Sequence, residues 1–190
     1  ACLQHEIAAL EEATGNAVGY RRCGRLMPID TDRRLEEHRG WQAAAVDNWQ
    51  CTNSCWEILD VLPDRWPMAE ALAYDFDTLS ARVSPRGLLQ VLAEAVRTRG
   101  GKIVEGATVD QPDKVIAGHV VIAAGHDSFA LAGTPDTGWG VKGQAVLLEP
   151  ESPLPEDLPI LYRGGTYVIR HDDGRVAVGS TSERAFADDR

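Results

Sequence analysis

The sequence predicts an α+β (α/β) chain built on a mixed, largely antiparallel sheet with flanking helices, and three observations predict it. Asp172-Asp173-Gly174 separates two alternating runs, 166–170 and 175–179, and Asp-Gly supplies the positive-φ residues that a tight hairpin needs. Ser84-Pro85 opens a helix: the serine caps an orphan amide, and proline at the first helical position loses no useful donor. Val120-Val121-Ile122-Ala123-Ala124-Gly125 reads as a buried strand that stops at a glycine. A residue without Cβ lets backbone amides approach a phosphate or ribose, and ligands on open α/β sheets gather at the carboxyl ends of strands.

The remaining elements follow in order. Leu3, Ile7 and Leu10 mark a first helix closed near Gly15, and Val18, Tyr20, Leu26 and Ile29 suit a hairpin about Cys23-Gly24. Thr31 or Asp32 caps a second helix with Leu35, Trp41, Ala45, Val46 and Trp49 as its candidate buried side, weakened by Gly40. Residues 54–67 read as a short helix and a proline-broken loop, with Trp56 and Trp66 as anchors of a loop-rich cap. A strand over 71–76 sets Leu72, Tyr74 and Phe76 on one face. The helix after Ser84 buries Leu88, Leu92, Ala95 and Val96 and ends at Gly100-Gly101. Residues 102–105 then form a short strand, 106–109 continue the edge, and Val115-Ile116 lead to the strand ending at Gly125. A long strand over 141–149, a proline-rich loop and the hairpin complete the chain, with fraying expected at 187–190.

A length of 190 residues with 44% hydrophobic and 25% charged residues suffices for one sizeable core or two small lobes. A net charge of −10 disfavours nucleic acid and anionic membrane surfaces as partners. No apolar run approaches the length that spans a bilayer, and Ala1-Cys2-Leu3-Gln4-His5 lacks the zones of a secretion signal, so a cytoplasmic protein is expected. Four cysteines are too few for a disulfide scaffold; Cys51 and Cys55 lack a second close Cys or His pair, so no metal site is predicted. His119, His126 and His171 have no ligand spacing and are assigned no catalytic role.

An ordered series of motifs now stands out. It comprises Val83-Ser84-Pro85-Arg86-Gly87-Leu88-Leu89, Gly100-Gly101, Val121-Ile122-Ala123-Ala124-Gly125, Val141-Lys142-Gly143-Gln144, and Tyr167-Val168-Ile169 followed by Gly174-Arg175 and Val178-Gly179-Ser180-Thr181. The series resembles the FAD-dependent D-amino-acid oxidase superfamily, in its glycine oxidase and sarcosine oxidase-like branch. Residues 10–15 and 18–26 look like the helix and hairpin that begin that family's substrate domain. The resemblance implies a substrate domain in two parts, 1–82 and 134–190, around a middle portion of the FAD-binding domain at 83–133. The sheet would then be a substrate-domain sheet, accompanied by a partial flavin-binding lobe. A different flavoprotein hydroxylase or dehydrogenase shares the strand ending in Ala-Gly but fits the 141–144 and 167–181 series less well.

Family members open with a βαβ unit whose Gly-x-Gly-x-x-Gly loop holds the FAD diphosphate. Gly138-Trp139-Gly140 and Gly164-Gly165 lack the preceding strand and following helix of that motif. The family's C-terminal segment, with the arginine that binds the substrate carboxylate, has no counterpart either. An internal fragment is therefore expected, inactive alone, with FAD belonging to the parent protein and weakly or not retained here. Uncovered lobe surface, including Val121 and Ile122, is expected to favour a homodimer.

The chemistry that the resemblance implies is oxidation of a small amine or amino acid: a hydride leaves the α-carbon for the flavin, and the imine hydrolyses. The flavin supplies that step, so no side-chain nucleophile is expected and no catalytic residue is assigned. By motif position Tyr167 resembles the family's tyrosine that faces the substrate pocket, where its hydroxyl could hydrogen-bond a carboxylate; otherwise it is a strand tyrosine over a core edge. Relatives carry proline and a basic residue where this chain has Arg170 and His171, so Arg170 either adds positive charge to the pocket or points to solvent. Val109 resembles the residue whose backbone meets the adenine, and Ala123, Ala124 and Gly125 the strand end beside the cofactor. The competing reading is a stand-alone ligand-binding or interaction module derived from the substrate domain.

Overall fold

The computed structural model describes residues 2–49 and 53–186; Cys51 of the Cys51–Cys55 pair and the predicted fraying at 187–190 lie outside them. In chain order the elements are α1 (Cys2–Thr14), β1 (Arg25–Ile29), α2 (Asp32–Asn48), β2 (Trp56–Leu59), β3 (Ala73–Asp77), α3 (Pro85–Thr98), α4 (Ser128–Leu131), β4 (Ala145–Leu148), β5 (Ile160–Arg163), β6 (Thr166–Arg170) and β7 (Val176–Gly179). The strands form one open sheet in the order β2-β3-β1-β5-β6-β7-β4. Its pairings are antiparallel except β1 with β5, where Arg25 and Leu26 run parallel to Ile160 and Leu161.

Local chemistry explains the surest elements. Ser84 accepts from the Gly87 amide and Pro85 occupies the first turn of α3, while Thr31 accepts from the Arg34 amide at the start of α2. The β6–β7 hairpin turns at Gly174, whose φ of +86° suits the residue without Cβ. Gly24 is a second such position. Its φ is +76°, and a Cβ there would meet the Asp77 carbonyl oxygen at 2.5 Å and the Phe76 ring at 2.6 Å.

Packing divides into two zones. Leu26, Ile29, Ala73, Leu158 and Ile160 are buried at the middle of the sheet, and Ile7, Val18 and Val91 form a cluster where α1 crosses α3. Leu10, Tyr20, Val83 and Leu88 pack around that cluster, and Glu11 extends it by accepting from the Val18 amide at 2.8 Å. Three tryptophans fasten α2 to the β2 edge, with Trp56 5.3 Å from Trp49 and 6.0 Å from Trp41; Trp66 lies 5.1 Å from Phe76. Of the two predicted anchors, Trp66 holds the irregular chain around it to the sheet, whereas Trp56 lies on β2 itself and packs against α2.

Several expectations are corrected. Residues 25–29 form no hairpin about Cys23-Gly24; β1 pairs with β3, and Arg21 bridges Arg82. Trp56-Glu57-Ile58-Leu59 is a strand and no helix forms over 54–67, because its aromatic and branched side chains fit the pleat beside β3. Leu72 precedes β3 and is exposed, leaving Tyr74 and Phe76 on their face without it. On α2 the buried residues are His38 and Ala45, while Trp41 is half exposed against His38 and Trp56 and Val46 faces outward; on α3 they are Val91 and Ala95, while Leu92 and Val96 are exposed. Among the described residues the predicted strands over 102–105, 106–109 and 120–125 have no pairing partner, and Val121 is 86% exposed. A run of this composition becomes a strand only when a neighbour takes up its amides and covers its side chains, and no described segment lies alongside. The long strand over 141–149 is likewise reduced to Ala145–Leu148, plus one bridge from Lys142 to Glu183.

The sheet carries a buried ionisable pair. His38 and Asp75 are both fully buried, and the Nδ1 of His38 meets Asp75 Oδ2 in a short hydrogen bond. Burial pushes the Asp75 carboxyl up to about 7, with Arg25 opposing and Asp77 adding to the rise. Burial likewise lowers His38, assisted by the cation of Arg34. A carboxyl raised in the folded state favours the protonated form, so its contribution to stability falls as pH rises from about 4 to about 7. His38 acts oppositely below its ordinary value. Replacing Asp75 by Asn keeps an acceptor for His38 and removes the carboxyl titration. The stability of Asp75→Asn relative to the parent is therefore expected to improve from pH 5 to pH 7.5 in urea denaturation; a difference independent of pH would contradict the raised carboxyl. Gly24→Ala is expected to lose on the order of 1–3 kcal/mol in the same measurement.

Candidate functional site

Residues in register on neighbouring strands share a face of the sheet, and those two apart along a strand share it too. Tyr167 of β6 stands opposite Tyr162 of β5 and opposite Gly179 of β7. The two tyrosine rings are 4.5 Å apart and tilted by 42°. Ile169, Ala177, Ala145 and Leu147 extend the same face toward the β4 edge. This face is open: Tyr167 is 37% exposed, and the whole of β4 is accessible. Gly179 keeps its floor flat, since a Cβ there would meet the Cβ of Ala145 at 2.6 Å.

The beginning of α3 borders the same face. Ser84, Pro85 and Arg86 line a cleft of about 330 Å³ with Leu147, Ala177 and His171. The crossover into residues 83–133 therefore starts at the rim of the Tyr167 floor. Val109 is half exposed, and Ala123, Ala124 and Gly125 are exposed. Gly125 has a φ of +61° with open space where a Cβ would stand, and the Ala124 amide donates to the Ser128 hydroxyl at 2.9 Å. Small residues ending at a bare glycine fit one wall of a cofactor site; the residues that would hold a diphosphate are not among them.

Arg170 goes elsewhere. Three residues from Tyr167 on the same strand, it faces the opposite side of the sheet with Val168 and Thr166, and its Nη1 donates to the His171 carbonyl at 3.1 Å. The structure does not bring Arg170 together with Tyr167. No hydrogen bond or ring contact joins Val109 or residues 123–125 to Tyr167 either. Sequence reading missed Tyr162, although a signal for it exists. Gly164-Gly165, with φ of +58° and +90°, is a two-residue hairpin turn, and recognising it would have paired 160–163 with 166–170.

The family model for FAD dependent oxidoreductases matches residues 2–190. The chain belongs to this family. It is 27% identical, over 94% of its own length and 28% of the other's, to the bifunctional protein ThiO/ThiG of Synechocystis sp.. Its fold superposes on glycine oxidase from Geobacillus kaustophilus with a TM-score of 0.78 at 21% identity, covering 98% of this chain and 54% of that one. The corresponding values for iminodiacetate oxidase from Chelativorans sp. are 0.75, 18%, 99% and 56%. The chain thus spans about half the length of these solved relatives, and a smaller share of the Synechocystis protein. The family is FAD-dependent, as the motif series implied. Among the described residues no helix is long and apolar enough to cross a membrane.

Gly179→Ala is expected to push β4 from β7 and to cost on the order of 1–3 kcal/mol in denaturant titration, because Ala145 contributes backbone as well as side chain to the clash. An unchanged midpoint would mean that the floor has room for the methyl group.

Proposed function

We propose that this chain serves a FAD-dependent oxidoreductase that oxidises the C–N bond of a small amino acid or secondary amine of the glycine, D-amino-acid or sarcosine class. The observation that carries the reading is the open Tyr162–Tyr167 face, bordered by the start of α3, in a chain of the FAD dependent oxidoreductase family. Similarity to proteins named glycine oxidase and iminodiacetate oxidase supports the substrate class.

In this proposal the Tyr167 hydroxyl donates to the substrate carboxylate, and Tyr162, packed against it, restricts the ring and narrows the pocket. The apolar floor of Ile169, Ala177 and Gly179 disfavours a charged ammonium and so favours the uncharged amine whose α-carbon gives up the hydride. Bound FAD supplies the two-electron acceptor. Ala123, Ala124 and Gly125 would line one wall for the flavin cofactor, and the Val109 backbone would meet its adenine. Arg170, on the far face, leaves carboxylate recognition on this face to the tyrosines. The 190 residues alone bind FAD weakly or not at all and are inactive, and their exposed lobe surface pairs two copies in a cytoplasmic setting.

Two measurements test this. The purified 190-residue chain, incubated with FAD and freed of unbound cofactor, is expected to show no flavin band. A retained band would demand a phosphate site in these residues, and a blank spectrum with saturable amino-acid binding would favour the stand-alone module. In the full-length protein, Tyr167→Phe is expected to raise KM for the amino acid by about tenfold with kcat little changed, the size of one lost hydrogen bond to a charged group. An unchanged KM would remove Tyr167 from the pocket.

A further inference from the structure

Behind the Tyr167 face lies a second group of charged residues that the proposed oxidation does not use. Arg82, the last residue before the crossover into α3, has a side chain only 1% exposed. Its two Nη groups donate to the Arg170 carbonyl and to Asp172, both in short contacts, while its Nε is buried without a partner. Arg170 repeats the pattern: its Nη1 reaches only the neighbouring His171 carbonyl, its Nε is buried without a partner, and no carboxylate lies within ion-pair distance among the described residues. A buried guanidinium donor without an acceptor is destabilising, and here two lie in one cluster.

The cluster opens into a cleft of about 410 Å³ lined by Tyr20, Arg21, Glu156, Arg170 and Asp172. Arg21 stands at its rim and donates to the Glu156 carbonyl at 3.1 Å, with the Glu156 carboxylate a further 3.9 Å contact. Around the cleft three guanidinium groups, Arg21, Arg82 and Arg170, face two carboxylates, Glu156 and Asp172. Asp172 is committed to Arg82, and the Glu156 side chain is largely in solvent. Asp173, on the other flank of Arg170, is held by Arg175 at 2.6 Å. Among the described residues, Arg170 alone of the three guanidinium groups has no carboxylate partner, with Glu149 and Glu151 lining its other flank beside Asp173, and its planar fork suits a carboxylate.

We propose that this cleft, on the sheet face opposite Tyr167, binds a small monoanionic carboxylate through Arg170, with Arg21 at the rim and Arg82 behind. The acidic rim makes a phosphate dianion the poorer ligand. This site is separate from the proposed substrate face, being formed by the far side of β6, the segment before β1 and the loop before β5.

Isothermal titration of the full-length protein with acetate, against chloride at matched ionic strength, tests the proposal. Saturable acetate binding is expected, at least about tenfold weaker in Arg170→Gln and retained in Tyr167→Phe. Arg170→Lys, which keeps the charge but loses the fork, is expected to be weakened as well and guards against a misfolded Gln variant. Absence of binding beyond chloride, or binding indifferent to both Arg170 variants, overturns the site. Binding lost in Tyr167→Phe instead would place acetate on the opposite face and overturn it too. Inorganic phosphate binding as tightly as acetate overturns the assignment to a monoanion.

Discussion

Two rungs of parallel pairing hold the molecule together. Arg25 and Leu26 meet Ile160 and Leu161, and the Ile160 amide donates to the Gly24 carbonyl at 2.9 Å. Everything between those strands, including β2, β3, α3 and the whole of 99–144, is a loop closed by this junction. The closure entropy is recovered by burying Leu26, Ile29, Leu158 and Ile160 at the same place. Gly24 belongs to the same constraint, since the chain enters β1 through a left-handed residue pressed against Asp77 and Phe76.

From that junction the sheet extends to two unlike edges. On the β2 side, α2 and the tryptophans cover one face, and the His38–Asp75 bond spends two buried polar groups on fixing the helix. Such a pair adds less net stability than an apolar contact of the same volume, but it admits a single arrangement of helix and strand. On the β4 side no described segment covers the sheet in a comparable way, and Val146, Leu147 and Leu148 lie open. The Tyr162–Tyr167 pair stands between these regimes, rigid because its strands are central and reachable because the neighbouring face is bare. Arg82 ties the two halves of the design, linking the entrance of α3 to the far end of β6.

The legible parts were those decided by neighbours in sequence. Ser84-Pro85, Thr31 and Asp172-Asp173-Gly174 act through hydrogen bonds and φ angles within a few residues, and each holds in the structure. Gly164-Gly165 belongs to this class as well: read as a two-residue hairpin turn and not only against the nucleotide-loop motif, it places Tyr162 opposite Tyr167. Residues 120–125 show the opposite case. Their composition is that of a buried strand, yet strand formation depends on partners that composition does not contain. Arg170 shows a third: its charge invites pairing with Tyr167, and only the two-residue period of a strand, with its ends known, sends it to the other face.

By itself the sequence determined the caps, the tight turns, the β6–β7 hairpin and the family, because short-range chemistry and an ordered motif series survive without any knowledge of contacts. Only the tertiary structure decided that β1 pairs with β3 and β5 in place of its own neighbour, that Tyr162 joins Tyr167, and that Arg170 joins Arg82 instead. Those outcomes rest on which distant segments bury each other's apolar faces and satisfy each other's amides, a competition settled among all strands at once.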